Sequence, residues 1–207
     1  MELNEKQLEK ALSDYNLAYE FTKKTHESDL NRIDSLNGLM ENFDDFFYEF
    51  VYVVLASGFK GRIAAKLTPL LVDCKGDMDK MGKIFKNKSK LNAINKIWNM
   101  KDQWDKLRSS FHTVNDLTSL PYIGDVTKYH LARNIGLISC AKPDLHLCRW
   151  AEKICGKGDE ESVSKIINAI ANKVGRKQGG VDFALWVWLS HNKGDELECC
   201  NGGYALR

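Results

Sequence analysis

The most informative part of the sequence is residues 113–150, TVNDLTSLPYIGDVTKYHLARNIGLISCAKPDLHLCRW. Its first seven residues have the pattern of a short helix. LPYIG interrupts that helix, because Pro121 lacks an amide donor and Gly124 suits a left-handed conformation or a close approach. A second helix restarts in DVTKYHLARNIG, with Asp125 near its N-terminus. The pattern therefore predicts two helices joined by a tight hairpin.

The start of the second helix is a candidate anion site. Amides in the first turn of a helix point outward and carry partial positive charge, so a phosphate is a natural ligand there. Lys128 adds a full positive charge to the same turn. An ordinary connection between two helices, with no ligand, explains L-P-x-I-G alone equally well.

Asp144 follows Pro143 and precedes a segment with an apolar pattern, 20 residues beyond Gly124. An Asp in this place is most often a helix N-cap. The functional interpretation is a carboxylate at the mouth of a cleft. Taken alone, the position favours the N-cap.

Helical periodicity dominates the rest of the chain. Gly58 indicates a C-cap for the second predicted helix, and Pro69 is expected to kink or break the third. The segments predicted to be helical are 4–28, 42–57, 61–72, 77–86, 88–108, 160–175 and 179–191. The short β-branched runs that a sheet requires are absent, so the sequence predicts an all-α fold.

Composition limits the class of protein. The chain has 207 residues, of which 43% are hydrophobic and 28% charged, which excludes a disordered, collagen-like or coiled-coil chain. It lacks both the roughly 18 consecutive apolar residues of a membrane span and the pattern of a secretory signal. The six cysteines contain no C-x-x-C pair. We therefore expect a cytoplasmic protein, associated with the nucleoid or with a phage-infected cell, whose thiols are structural and bind no metal.

Charge is unevenly distributed along the chain. The net charge is +2, yet residues 1–50 hold twelve acidic and five basic side chains. Residues 75–108 hold ten basic side chains against four acidic ones. A basic body is compatible with a polyanion bound on one face, and a solvated lysine-rich surface is the alternative.

The hairpin and Asp144 together resemble the helix-hairpin-helix (HhH-GPD) DNA glycosylase superfamily. L-P-x-I-G and P-D-L-H-L-x-R, with 19 residues between Gly124 and Asp144, match the endonuclease III branch without a gap. FFYEFVYVVLASGFKGRIAAKL, residues 46–67, also resembles the barrel helix of that branch. The resemblance covers roughly residues 43–150.

This chain departs from the family pattern at three positions. Tyr122 replaces a hairpin glycine, and Gly58 replaces the Gln or Asn that helps fill the gap in the duplex. Val126 replaces the lysine with which bifunctional members form a Schiff base. The iron–sulfur cysteines of the branch are also lacking. These departures predict a monofunctional enzyme that leaves an intact strand with an abasic site.

The resemblance implies a DNA glycosylase that flips a damaged or modified base out of duplex DNA and hydrolyses its N-glycosidic bond. Asp144 is the predicted catalytic residue, because a carboxylate near C1′ stabilises an oxocarbenium-like transition state. The residues predicted to bind the DNA backbone are Leu120, Pro121, Tyr122, Ile123, Gly124, Asp125 and Lys128. The candidate pocket residues are Tyr48, Tyr52, Phe59, His146, Trp150 and Trp186, for each of which a structural role is the alternative.

We expect two helical lobes with the active-site cleft between them. Residues 55–138, with the hairpin at 113–136, form one lobe; residues 1–54 and 139–207 form the other and carry the Asp144 loop. The expected partner is double-stranded DNA bound by a monomer, with no membrane contact. No cofactor is expected, although the hairpin carbonyl groups are candidate ligands for a monovalent cation.

Three alternatives stay open. A non-catalytic helix-hairpin-helix DNA-binding protein would keep the hairpin but has no need of Asp144. A relative retooled for base modification would need a nucleophile or a second-substrate site that the sequence does not reveal. A bifunctional glycosylase/lyase would use Lys128, which we expect to face the DNA backbone or solvent. The excised base cannot be read from the sequence.

Overall fold

The computed structural model describes residues 3–137 and 141–192. Within these residues the chain forms α-helices and 3-10 helices and no strand, so the predicted all-α fold is confirmed. The α-helices are α1 (Glu5–Ser35), α2 (Phe43–Ala56), α3 (Gly61–Val72), α4 (Met78–Ile84), α5 (Lys88–Trp98), α6 (Trp104–Arg108), α7 (Thr127–Asn134), α8 (Leu145–Cys155), α9 (Glu160–Val174) and α10 (Gln178–His191). The 3-10 helices are Lys101–Gln103 and Val114–Ser119. No helix of the described ranges has the length and apolar character needed to cross a membrane.

Two separate hydrophobic cores organise the helices. The first lies among α2 to α7, and its centre is the aromatic face of α2, where Phe46 stacks on Trp104 with 4.4 Å between ring centroids. We call residues 43–137 the hairpin lobe. The second core joins α1 to α8, α9 and α10, and α1 together with residues 141–192 forms the terminal lobe.

The boundary between the lobes lies before α2. The predicted boundary at residues 54–55 falls inside α2, whose apolar face packs wholly in the hairpin lobe. The FFYEF run supplies the reason, because Phe46, Phe47 and Phe50 are fully buried against the tryptophans of that lobe. Helix α1, although it precedes α2 in the chain, packs against α8, α9 and α10. It extends beyond the predicted end at residue 28 to Ser35, with a non-helical residue at His26.

Most predicted helices are present, with two differences. The helix predicted over 88–108 is divided: α5 ends at Trp98 and α6 begins at Trp104. The break lets Trp98 and Trp104 both contact Phe43, which one straight helix could not do from positions six residues apart. Pro69 neither ends nor divides α3, which continues to Val72. Gly58 takes a positive φ just beyond α2, as the C-cap prediction requires.

The segment that joins the lobes is fastened to the end of α7. The Met40 amide donates to the Ile135 carbonyl over 2.9 Å. Gly136 follows with φ +73°, and a Cβ built on it would lie 2.2 Å from the carbonyl oxygen of Gly38. A side chain at Gly136 would therefore force the connecting segment away from the hairpin lobe.

Gly136→Ala is predicted to destabilise the protein by about 2–4 kcal/mol, because left-handed strain adds to a clash with backbone. Gly156→Ala is the matched control: Gly156 has φ +78° and open space around its Cβ position, so only the strain of about 1 kcal/mol remains. Urea unfolding of both variants measures the difference. Equal losses in the two variants would show that the contact with Gly38 does not matter.

Candidate active site

The hairpin has its left-handed residue at Tyr122, not at Gly124. Tyr122 has φ +69°, whereas Gly124 is not among the residues with positive φ. The prediction of a left-handed Gly124 is therefore wrong, and the close-approach interpretation remains. Gly124 is exposed, and a Cβ built on it would meet nothing within 4 Å. Its missing side chain leaves the hairpin backbone open to an external group.

The second hairpin helix starts at Thr127, two residues later than predicted. The Gly124 amide donates to Thr127 Oγ1 over 2.8 Å, so one amide of the turn is satisfied within the chain. Lys128 Nζ donates to Asn115 Oδ1 at 3.0 Å and to Asp125 Oδ1 at 3.1 Å. The Lys128 side chain is only 12% exposed, so this lysine ties the two hairpin helices together instead of extending into solvent.

A buried lysine connects the hairpin to the end of α2. Lys90 is 1% exposed, and its Nζ donates to the carbonyl groups of Leu55 and Ser57. The same Nζ lies 4.7 Å from the ring centroid of Phe59 and 5.6 Å from that of Tyr122. Burial lowers the pKa of Lys90. The carbonyl groups at the C-terminal end of α2 offset part of the cost of holding a cation there.

A cavity of about 620 Å³ lies between the two lobes. Its volume is in the range of about 300–1,000 Å³ that is typical of small-molecule sites. Helices of both lobes contribute to its wall, together with Lys142 from the loop before α8. The lining residues with polar or aromatic side chains are Asp29, Arg32, Asp45, Tyr48, Glu49, Tyr52, Phe59, His130, Arg133, Asn134, Lys142, Phe183 and Trp186.

Four of the six candidate pocket residues, Tyr48, Tyr52, Phe59 and Trp186, line this cavity. Trp150 does not: it is 4% exposed in the core of the terminal lobe, where its Nε1 donates to Asp14 Oδ2. Trp150 is close to Asp144 in the sequence, but its position on α8 directs its side chain toward α1 and away from the cavity. His146 is half-buried in the first turn of α8 and is also not part of the cavity wall.

Asp144 is the N-cap of α8, two residues from Lys142 in the cavity wall. Its Oδ1 accepts the amides of His146 at 3.0 Å and Leu147 at 3.1 Å, which is the N-cap geometry. Its Oδ2 makes no hydrogen bond to another described residue, and the side chain is half-buried. The N-cap role and a chemical role are therefore compatible, because each uses a different oxygen.

A buried polar cluster in the cavity was missed by the sequence analysis. Glu49 is 6% exposed; its Oε1 lies 2.8 Å from Arg32 Nη1, and its Oε2 accepts the Asn134 amide nitrogen over 2.7 Å. Burial raises the pKa of Glu49, and the contacts with Arg32 and Asn134 oppose that rise. The signal in the sequence is one charged residue inside the apolar run FFYEFVYVV.

A second buried cluster joins the lobes. Arg133 of α7 pairs with Asp182 of α10, which is fully buried. Asp182 Oδ1 also accepts the Lys142 main-chain amide over 2.9 Å. Burial raises the pKa of Asp182 to about 6, against the opposing effects of Arg133 and the Lys142 amide. One carboxylate thus holds the hairpin lobe, the loop before Asp144 and α10 together.

Comparison with known proteins identifies the fold. No family model and no curated protein matches the chain. The 8-oxoguanine glycosylase/lyase of Methanocaldococcus jannaschii, solved with DNA containing 8-oxoguanine, is 16% identical with a TM-score of 0.64, over 84% of this chain and 96% of that one. The 8-oxoguanine DNA glycosylase of Thermotoga maritima is 18% identical with a TM-score of 0.62, over 87% and 96%. The chain therefore has the fold of these glycosylases, as the resemblance predicts.

Asp182→Asn is predicted to destabilise the protein by about 3–5 kcal/mol, because it leaves the Arg133 cation buried without its partner. The asparagine oxygen still accepts the hydrogen bond from the Lys142 main-chain amide, so the loss of stability reports on the removed negative charge. Adding Arg133→Met removes the unpaired cation and should restore much of the stability. A double variant as unstable as the sum of the two single variants, in urea unfolding, would contradict this account.

Proposed function

We propose that this protein is a DNA glycosylase that flips a damaged or modified base out of duplex DNA and hydrolyses its N-glycosidic bond. The observation that carries the proposal is a cavity between the lobes that reaches the loop before α8. Lys142 is in its wall, and Asp144, which is not itself a wall residue, follows two residues later with one carboxylate oxygen free of hydrogen bonds to the described residues. The glycosylase fold and the exposed hairpin support the same assignment. A DNA-binding protein without catalysis has no use for a cavity of this size.

Asp144 supplies the charge that the reaction needs. Departure of the base leaves positive charge on C1′ and the ring oxygen, and a nearby carboxylate stabilises that charge and orients the attacking water. Oδ1 is engaged by the α8 amides, so Oδ2 is the oxygen directed to the substrate.

The cavity walls suit a flipped base. Tyr52 and Trp186 offer aromatic faces for stacking, while Glu49, Asn134 and Arg133 bring hydrogen-bonding groups to the same space. Phe59 is 44% exposed where the cavity meets the surface. It is our candidate for the side chain that fills the gap in the duplex, a task that Gly58 cannot perform.

Excision in this proposal is hydrolytic, and in that sense monofunctional. Val126 cannot form an imine, and its side chain is 56% exposed outside the cavity wall. Lys128 Nζ is held by Asn115 and Asp125 within the hairpin, which disfavours a lyase based on that lysine. The first product is therefore an abasic site.

The proposed setting is a cytoplasmic monomer acting on double-stranded DNA. A monovalent cation at the hairpin carbonyl groups stays a prediction. Because both structural neighbours are named for 8-oxoguanine, that lesion is the first member of the test panel. The panel also holds alkylated purine, uracil, mispaired adenine and hypermodified pyrimidine duplexes. Base release, revealed by hot alkali, supports the proposal; no release from any duplex that the protein binds would overturn it.

Asp144→Asn should lower the rate of excision by on the order of 10²–10³ and leave duplex binding intact, because the amide caps α8 equally well but carries no charge. Asp159→Asn is the matched control, since Asp159 caps α9 in the same way, but the loop before it contributes no residue to the cavity wall, whereas the loop before Asp144 contributes Lys142. Single-turnover assays compare the two variants. Wild-type turnover in Asp144→Asn would reduce Asp144 to its N-cap role.

Gly124→Ala should weaken binding to damaged and undamaged duplexes by the same factor, because the hairpin contacts phosphate and reads no sequence. The stability of the free protein should not fall, since the added Cβ meets nothing within 4 Å. Gly82→Ala, which also adds a Cβ in open space but on α4, is the control and should bind normally. Fluorescence anisotropy with both duplexes measures the effect, and a loss confined to one duplex would contradict backbone recognition.

A further inference from the structure

Lys142 is a cavity-lining lysine that hydrolytic excision does not use. Its side chain forms part of the cavity wall, and its position in the chain is two residues before Asp144. The hydrogen bond from its main-chain amide to the fully buried Asp182 fixes the loop that carries it. The amine of Lys142 makes no hydrogen bond to another described residue. The structure thus presents a primary amine to the substrate space.

Burial and the nearby Arg133 cation favour the neutral, nucleophilic form of Lys142. Burial lowers its pKa, Arg133 of α7 lowers it further, and Asp144 and Asp182 oppose the change. His130 of α7 adds no positive charge, because burial and the cations of Lys142 and Arg133 hold its pKa well below its usual range. A desolvated lysine beside another cation is the environment in which enzyme lysines act as nucleophiles.

Two other lysines near the hairpin have amines that are already engaged. Lys90 Nζ donates to two carbonyl groups at the end of α2, beneath Phe59 and Tyr122. Lys128 Nζ is held by Asn115 and Asp125. Neither lines the cavity. Among the described residues, Lys142 is the lysine in the cavity wall. It lies on the loop before α8, whereas Val126, which replaces the lysine of the family pattern, lies at the start of α7.

We propose that Lys142 gives this site a second activity, the formation of a Schiff base with the C1′ aldehyde of an abasic site. The inference rests on the proposed function, whose product is that abasic site. The ring-opened sugar exposes an aldehyde, the Lys142 amine adds to C1′, and loss of one water leaves the imine. No oxidant, reductant or cofactor is needed for this step.

The imine has a defined chemical consequence. Once protonated it withdraws electrons from C2′, so that a base can remove a C2′ proton. The electron pair then forms the C2′–C3′ double bond and expels the 3′-phosphate. In this proposal, hydrolytic excision by way of Asp144 and strand cleavage by way of Lys142 are successive reactions of two side chains that lie two residues apart in the chain. The intact strand expected after excision is the first product, and a nicked strand is the later one.

Borohydride trapping on a duplex with a preformed abasic site tests this inference without knowledge of the excised base. We expect the full-length protein to give a covalent adduct, and peptide mapping by mass spectrometry to place it on Lys142. A duplex with a tetrahydrofuran abasic analogue, which lacks the aldehyde, should give none. Absence of an adduct with the aldehyde duplex, or an adduct mapped to another residue, would overturn the inference.

Variants supply the second readout. Lys142→Arg keeps a long side chain but is a poor imine former, so the adduct should be lost while thermal melting shows that the protein still folds. Lys153→Arg, at an exposed lysine of α8 outside the cavity wall, is the control and should keep the adduct. Adduct formation without base release from any lesion would leave this inference standing and overturn the proposed excision. Base release without an adduct would support the proposed excision and overturn this inference.

Discussion

The buried ion pair between Arg133 and Asp182 is the interaction on which the arrangement of the site depends. Removing two charges from water costs several kcal/mol per ion, and only close geometry with further hydrogen bonds offsets that cost. Asp182 meets this condition by accepting the Lys142 amide as well as pairing with Arg133. The pair therefore determines how α7, α10 and the loop before Asp144 are placed. The cavity is the space that this arrangement leaves between the lobes.

Local signals in the sequence predicted much of the fold. The hairpin, the N-cap Asp144 and most helix ends follow from proline, glycine and Asp positions that act within a few residues of themselves. The cavity could not be predicted in this way. Glu49 and Asn134, for example, are 85 residues apart and become partners only through packing of α2 on α7. Trp150 was misassigned for the same reason, because helical phase relative to α1 is a tertiary property.

The lysine inferred to form an imine lies at a different place in the fold from the lysine that Val126 replaces. The direction of a side chain on α7 is set by its position along that helix. Val126, at the N-cap of α7, is exposed outside the cavity. The loop that ends at Asp144 is fixed by Asp182 and can present an amine to the same substrate space. In this fold, helices and loops can therefore each contribute functional side chains to the same cavity. Identity at one motif position is an incomplete guide to the reactions available.

The path of the chain through the two lobes also constrains its synthesis. Helix α1 leaves the ribosome well before α8, α9 and α10, the helices on which it packs: Thr22 Oγ1 donates to the Ala184 carbonyl, 162 residues later. The hairpin lobe, by contrast, is one continuous segment whose core is complete by Ile135. During translation it can fold while α1 still exposes Ala11, Tyr15 and Ala18. The nascent protein thus carries an uncovered apolar stripe until its C-terminal helices emerge, and this is the interval in which a chaperone would be of use.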